Sequence, residues 1–144
     1  MITKGMLTSN RDNWETPQKL FDELNKEFNF TIDAAADKEN HKCERYYTRK
    51  ENGLEKSWKG ERVFLNPPYG RELPKWVKKA ADEAKDKSTI IVMLIPARTD
   101  TQWFHDYIYK KAEIRFIKGR LKFGDAKNSA PFPSMVVIFR RGKK

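Results

Sequence analysis

The chain has 144 residues, and its 30 Lys and Arg against 20 Asp and Glu give a formal net charge of +10. This length predicts a single domain covering residues 1–144. The basic excess favours a polyanionic partner, with nucleic acid ahead of an acidic membrane surface. The single cysteine, Cys43, excludes an intramolecular disulfide and a multi-cysteine zinc site, and it indicates a reducing, cytosolic compartment. No apolar run predicts a membrane span or an export signal, and no histidine cluster predicts a metal site.

The first part of the chain combines a polar segment, a helix and a short strand. Residues 1–13 are polar and irregular, which predicts a flexible lead-in to the domain. Thr16-Pro17 is a helix-start signal, in which the Thr16 hydroxyl caps the helix and Pro17 takes the first helical position. The apolar spacing after it predicts a helix over 17–28. A short strand is expected over 30–32.

The central part alternates between strands and helices. Residues 38–47 are interpreted as helical. A strand is predicted over 62–66, and the apolar spacing of the residues from 73 to 84 predicts the clearest helix of the chain. The continuous apolar, β-branched run over 89–95 is typical of a strand that is buried on both faces of a parallel sheet.

The last part begins with a helix that is capped by Asp100 or Thr101. A strand is predicted over 113–117, and residues 121–123 are interpreted as pairing back on it in a hairpin. After a loop rich in Gly, Ser and Pro, a final strand is predicted over 135–139.

This order predicts an α/β fold with a mostly parallel sheet, helices on both faces and a C-terminal antiparallel edge. Ligands bind such sheets beyond the carboxyl ends of the strands. Three loops are expected to meet there, at residues 33–36, 66–70 and 96–100. These loops are therefore the predicted site.

The second of these loops contains Asn66-Pro67-Pro68-Tyr69. The Asn66 side-chain oxygen and the Pro67 carbonyl form a rigid pair of hydrogen-bond acceptors, and the proline nitrogen has no competing N–H. Such a pair suits a planar exocyclic amine, because it accepts both N–H groups and leaves the nitrogen lone pair free to attack. The Tyr69 ring offers a flat face on which the ring that carries the amine can stack.

The tetrapeptide resembles the motif of amino methyltransferases, which modify adenine or cytosine amines in nucleic acids or a glutamine amide in proteins. Together with six further segments it resembles one family, the compact phage and prophage DNA N6-adenine methyltransferases, often called phage Dam-like. The resemblance runs from about residue 12 to residue 139. The segments that carry it are Trp14-x-Thr16-Pro17, Asp33-x-Ala35-Ala36, Asn52-Gly53-Leu54, Trp58, Asn66-Pro67-Pro68-Tyr69, Asp100-Thr101-x-Trp103-Phe104-His105 and Gly119-Arg120-Leu121-Lys122-Phe123.

This resemblance implies a reduced Rossmann-like, S-adenosylmethionine-dependent methyltransferase fold. It implies an enzyme that transfers a methyl group from S-adenosylmethionine to the N6 amine of adenine in DNA, encoded by a phage or prophage and working in the cytoplasm of a bacterial host. Asn66, Pro67, Pro68 and Tyr69 would then be catalytic. Because the reaction is an in-line displacement, positioning of the amine should contribute more than acid–base catalysis.

The resemblance also implies a cofactor site. The Asp33 carboxylate would hold the cofactor's ammonium group, small neighbours would let the backbone approach, and Trp14 would act as a lid. Asn52 stands where the family more usually has Asp, and no residue clearly matches the acidic residue that holds the ribose hydroxyls. The complete set implied is Trp14, Thr16, Pro17, Asp33, Ala34, Ala35, Asn52 and Leu54.

For DNA, a target base must leave the duplex to reach a recessed amine site. Phosphate contacts are expected from Arg71, Arg98, Arg120 and Lys122, and base contacts from Phe123 and Phe132. Two alternatives stay open: an acceptor other than DNA adenine (RNA adenine, cytosine N4 or a protein glutamine), and a nucleic-acid-binding module with a decayed cofactor site. The oligomeric state, monomer or homodimer, also stays open.

Overall fold

The computed structural model describes residues 14–124 and 129–141 of the chain. The predicted lead-in, residues 1–13, lies outside this part. In chain order the elements are α1 (Gln18–Phe28), β1 (Ile32–Asp33), a 3₁₀ turn (Gly53–Glu55), β2 (Arg62–Leu65), α2 (Leu73–Glu83), β3 (Ile90–Pro96), a π-helical turn (Phe104–Ile108), β4 (Glu113–Phe116) and β5 (Ser134–Arg140).

The strands form a five-stranded sheet in the order β1-β2-β3-β5-β4 within the described residues. β1, β2 and β3 are parallel neighbours, whereas β5 is antiparallel to both β3 and β4. The mixed α/β class and the parallel first half are therefore confirmed. The antiparallel part starts inside the sheet with β5, and β4 forms the outer edge. As a result, the carboxyl ends of β1, β2, β3 and β4 all lie at the edge where β5 begins.

The core is built around β3, in which every residue from Ile91 to Pro96 is buried. This continuous apolar run belongs to a strand that is covered on both faces. Helix α1 covers one face of the sheet, where the Phe21 ring meets the Phe64 ring edge-to-face with 5.0 Å between centroids. Within residues 14–124 and 129–141, no helix combines the length and apolar character that crossing a membrane requires.

The segment 38–47, interpreted as helical, contains no helix. It runs beside β1 instead: the Asp33 N–H donates to the Arg45 carbonyl at 3.1 Å, and the Tyr47 N–H donates to the Asp33 carbonyl at 3.0 Å. A parallel bridge joins Asp33 to Tyr46. The prediction was wrong because the outer backbone groups of β1 need hydrogen-bond partners, and a short isolated helix gains too little to compete with that pairing.

The Thr16-Pro17 signal marks the start of α1 correctly, but the Thr16 side chain does not cap the helix. The helix begins at Gln18 with Pro17 as its N-cap residue, and no side chain caps it. The Thr16 hydroxyl accepts a hydrogen bond from the Asn66 side-chain amide at 2.9 Å. Interpreting Thr16 as the capping residue was therefore wrong, because its hydroxyl is engaged across the site.

The C-terminal half follows the predicted order but departs from the prediction in two places. The helix expected after residue 100 is a π-helical turn, preceded by Thr101, whose hydroxyl accepts from the Phe104 N–H at 3.3 Å. The hairpin expected at 121–123 is absent, since these residues are not in a strand. β4 pairs with β5 instead, because β5 offers a much longer apolar partner strand.

Candidate active site

A cavity of about 640 Å³ lies at the carboxyl ends of β1 and β2. This volume falls within the range of small-molecule pockets, roughly 300–1,000 Å³. Its walls come from the segment before α1, the residues after β1, the 3₁₀ turn, the loop after β2 and the first turn of α2. The predicted site residues that line it are Trp14, Thr16, Asp33, Ala34, Ala35, Asn52, Leu54, Asn66 and Pro68.

Asp33 places a carboxylate in the cavity wall, although only 3% of the residue is exposed. Its Oδ2 accepts from the Lys42 backbone N–H at 2.9 Å, and its Oδ1 accepts from the Ala35 N–H at 3.4 Å. Burial raises the pKa of Asp33 to about 6, although these two hydrogen bonds act in the opposite direction. Within the described part of the chain, no basic side chain forms an ion pair with it. The carboxylate can therefore pair with a cationic group of a ligand.

The 3₁₀ turn touches the end of β1 at Gly53. A Cβ atom at Gly53 would lie 2.3 Å from the Ala34 carbonyl oxygen and 3.3 Å from two ring carbons of Trp76. On the other side, the Trp58 indole N–H donates to the Gly53 carbonyl at 3.1 Å. Glycine is needed here for the close approach of two backbone segments, which together form one wall of the cavity.

The Gly53→Ala substitution is expected to lower the free energy of unfolding by about 1–3 kcal/mol, because the methyl group forces Ala34 and Trp76 apart. Ligand affinity of the cavity should fall with it. Urea unfolding and calorimetric titration with S-adenosylmethionine measure the two effects. Gly60→Ala is the matched control: it strains a residue at φ 78°, where a Cβ atom would make only an ordinary contact, 3.9 Å from the Ser88 hydroxyl oxygen, so it should lose stability but keep the cavity. Wild-type stability and affinity in Gly53→Ala would disprove the close-packing argument.

Asn52 shapes the turn that carries Gly53. Its backbone is left-handed, with φ 60°, a conformation that asparagine tolerates better than most residues. Its side-chain oxygen accepts from the Leu54 N–H at 3.2 Å. Part of its hydrogen-bonding capacity is thus used within the turn, while the residue also lines the cavity.

The Asn66 side chain is held by three partners. Its amide nitrogen donates to the Trp14 carbonyl and, at 2.9 Å, to the Thr16 hydroxyl. Its oxygen is 2.9 Å from the Tyr69 hydroxyl, which also lies 3.0 Å from the Leu94 carbonyl. A phenol has one proton, so Tyr69 can donate to only one of these oxygens at a time. The amide oxygen therefore keeps acceptor capacity for a ligand.

Four rings form an aromatic cluster beside Asn66: Trp14, Tyr69, Phe123 and Phe132. Trp14 and Tyr69 are within 20° of parallel at 6.4 Å between centroids, and the two phenylalanines meet Trp14 edge-to-face at 5.3 and 5.1 Å. Tyr69 is 4% exposed, and burial raises its pKa well above the usual range. A base that stacks on Tyr69 would therefore have to displace the Trp14 side chain.

The remaining predicted residues fall into three groups. Pro17, Pro67 and Tyr69 do not line the cavity. Phe123 and Phe132, expected to contact a base, are buried in the aromatic cluster, so neither can act as a wedge in this conformation. The cations expected to contact phosphate are all exposed: Arg71, Arg98, Arg120 and Lys122.

The sequence did not point to several residues of the cavity wall. Trp76 is buried and also lines the cavity. Lys42, Glu72 and Lys75 line it as well. Glu72 and Lys75 follow the Asn66 loop within one helical turn, so their position in the sequence could have identified them. Over the described ranges, no group of three or more His, Cys, Asp or Glu side chains is placed to hold a metal ion.

A buried carboxylate and an Asn-Pro-Pro-Tyr loop that share one cavity at the carboxyl edge of a mixed sheet are compatible with a methyltransferase fold. The comparison with protein families agrees. A family model described as DNA N-6-adenine-methyltransferase (Dam) matches residues 4–144. The chain belongs to this family, and the predicted resemblance is confirmed.

Two curated relatives come from phages. The chain is 38% identical over 113 residues to the DNA N-6-adenine-methyltransferase of Escherichia phage T1. The matched region covers 77% of this chain and 47% of the relative. It is 30% identical over 148 residues to the DNA N-6-adenine-methyltransferase of Haemophilus phage HP1 (strain HP1c1). Here the matched region covers 96% of this chain and 85% of the relative. The chain thus spans about half the length of the first relative and most of the second.

Proposed function

We propose that the protein transfers a methyl group from S-adenosylmethionine to the N6 amine of adenine in DNA. The observation that carries the proposal is that Asp33 and Asn66 line the same cavity, because this places a cation-binding carboxylate and an amine-binding amide around one ligand. The reduced Rossmann-like fold, and a location in the cytoplasm of a phage-infected bacterial cell, are part of the same proposal.

The residues present fit the cofactor. S-adenosylmethionine, when bound, supplies a methyl group on a sulfonium, and its transfer breaks the sulfur–carbon bond with the electron pair kept by sulfur. Asp33 would bind the ammonium group through its buried carboxylate. The wall where Gly53 meets Ala34 would hold a flat part of the ligand, since no side chain projects from Gly53.

Asn66 would hold the acceptor amine. Its side-chain oxygen and the Pro67 carbonyl accept the two N–H bonds, which directs the nitrogen lone pair towards the methyl carbon. Positive charge develops on the nitrogen during transfer, so these two acceptors stabilise the transition state more than the ground state. After transfer the nitrogen is positively charged and can release its proton to solvent.

Transfer of a labelled methyl group from S-adenosylmethionine to unmethylated duplex DNA, followed by nucleoside analysis, tests the proposal. Labelled N6-methyladenine is the expected product. Labelled N4-methylcytosine, or label on RNA only, would replace the proposed acceptor. If the protein binds DNA but neither binds the cofactor nor transfers the label, the enzyme proposal fails and a binding module remains.

The DNA surface would lie around the carboxyl edge of the sheet. Arg98 is exposed there, with its guanidinium 5.9 Å from the Phe132 ring centroid, and Arg120 and Lys122 are exposed beyond β4. Phe116 is the last residue of β4 and is 66% exposed. Its register partner is Met135 at the start of β5, which locates it at the same edge. Since Phe123 and Phe132 are buried, Phe116 is the aromatic residue we propose to contact bases.

Phe116→Ala is expected to weaken duplex binding about tenfold, because one aromatic–base stacking contact contributes roughly 1–3 kcal/mol. Fluorescence anisotropy with a labelled duplex measures the effect, and affinity for S-adenosylmethionine should not change. Tyr109→Ala is the matched control: Tyr109 is 48% exposed but precedes the amino end of β4. Equal DNA affinity in both variants and the wild type would remove Phe116 from the proposed surface.

A further inference from the structure

We infer that Thr16 is a positioning residue for the acceptor amine: its hydroxyl, together with the Trp14 carbonyl, fixes the orientation of the Asn66 side-chain amide. The inference rests on the proposed function, because it concerns the amide that would hold the amine. It gives Thr16 a role different from the cofactor contact that the family resemblance implies.

The two ends of the Asn66 side-chain amide have different hydrogen-bond partners. On one side lie two acceptors, the Trp14 carbonyl and the Thr16 hydroxyl oxygen, which take both N–H groups of the amide. On the other side the Tyr69 hydroxyl lies 2.9 Å from the amide oxygen. An amide has two donor hydrogens at one end and one acceptor oxygen at the other. The Trp14 carbonyl can only accept, so it selects the orientation that places the amide nitrogen on its side. The Thr16 hydroxyl then accepts from the second N–H and holds the amide in that orientation.

Rotation of the amide by half a turn would break this match. The oxygen would then face the Trp14 carbonyl, which can only accept hydrogen bonds, and the NH₂ group would face the incoming amine. An amine that must donate its N–H groups finds no acceptor in that orientation. The acceptor site that Asn66 offers thus depends on the two groups that hold its nitrogen end.

Thr16 is available for this role because α1 does not use it. The helix begins without a side-chain cap, and Thr16 is 3% exposed, so its hydroxyl does not depend on solvent. The link joins the segment before α1 to the loop after β2, which are about fifty positions apart in sequence. The segment before α1 would therefore influence methyl transfer by positioning the Asn66 side chain.

The test replaces the hydroxyl while keeping the shape of the side chain. In Thr16→Val, kcat for DNA methylation is expected to fall about tenfold, because one N–H of Asn66 loses its partner. The Kd for S-adenosylmethionine, measured by calorimetric titration, should stay within about threefold of the wild type. Thr16→Ser restores an acceptor oxygen and should recover most of the lost turnover.

Thr89→Val is the control for general destabilisation. Thr89 is equally buried but lies just before the amino end of β3, where its hydroxyl accepts from the Gly60 N–H at 2.9 Å. It should lower thermal stability without changing kcat. Wild-type kcat in Thr16→Val, or a raised Kd with normal kcat at saturating cofactor, would overturn the inference and support a cofactor contact. A wild-type protein that does not methylate DNA would instead refute the proposed function.

Discussion

The Asp33→Asn variant is expected to be more stable than the wild type and to bind S-adenosylmethionine about a hundredfold more weakly. The carboxylate is buried and is bonded to backbone N–H groups rather than to a basic side chain. Ionising it is therefore costly, and a cationic ligand group offsets that cost when it binds. Removing the charge removes both the cost and the charge-assisted hydrogen bond to the ligand.

The sign of the stability change follows from the pKa. Burial raises the pKa of Asp33 from 3.8 to about 6, so the folded protein binds this proton more tightly than the unfolded chain does. The contribution of Asp33 to stability is complete below pH 3.8 and is lost as the pH rises through 6. Each pKa unit corresponds to about 1.4 kcal/mol. Because Asn keeps only one of the two backbone hydrogen bonds, a net gain of about 2 kcal/mol at neutral pH is expected.

Urea unfolding at several pH values and calorimetric titration with the cofactor measure these effects. Wild-type affinity should weaken as the pH falls below about 6, whereas the variant should show no such dependence. Asp82→Asn is the control, because Asp82 is bonded to Lys78, which lowers its pKa. That change should cost stability and leave cofactor binding intact. A destabilised Asp33→Asn protein with normal affinity would contradict the assigned role.

Asn66→Ala is expected to lower kcat by about 10²–10³-fold, the usual effect of removing one hydrogen-bonding group that stabilises developing charge. The substitution removes the acceptor for the amine but leaves the Asp33 side of the cavity unchanged. Affinity for S-adenosylmethionine should therefore stay within about threefold of the wild type. Single-turnover transfer of a labelled methyl group to duplex DNA measures the chemical step directly.

The matched control for this variant is Asn25→Ala. Asn25 is also a structural hydrogen-bonding residue, since its side-chain oxygen accepts from the Phe30 N–H at 2.8 Å, but it lies in α1, away from the cavity lining. Its loss should lower stability and leave kcat unchanged. If Asn66→Ala keeps wild-type turnover, the amine is not held by this side chain.

The elements with strong periodicity could be predicted from sequence alone. The apolar run of β3 is typical of a buried strand, and the spacing of apolar residues in α2 is typical of a helix. The predicted ends of both elements lie within two residues of the observed ends. Residues 38–47 could not be placed, because what decides their conformation is the open edge of β1 at Asp33, which local patterns do not describe. The same holds for Thr16, whose partner Asn66 is distant in sequence.

The candidate site was predicted in part for similar reasons. The motif identified Asn66 and the strand end identified Asp33, and both line the cavity. The burial of Phe123 and Phe132 depends on Trp14, from a separate part of the chain. The need for glycine at position 53 depends on the Ala34 carbonyl. Such contacts between distant segments carry no local sequence signal, and they are what shape the site.

The position of Asp33 has a consequence for the end of the catalytic cycle. On the proposed role, its carboxylate binds the ammonium end of the cofactor, and the demethylated product, S-adenosylhomocysteine, keeps the same ammonium group. In that role the buried carboxylate of Asp33 would bind the spent and the fresh cofactor alike, and we expect the product to inhibit the reaction. The site can then distinguish S-adenosylmethionine from S-adenosylhomocysteine only at the methyl end, near Asn66, where the acceptor amine would bind.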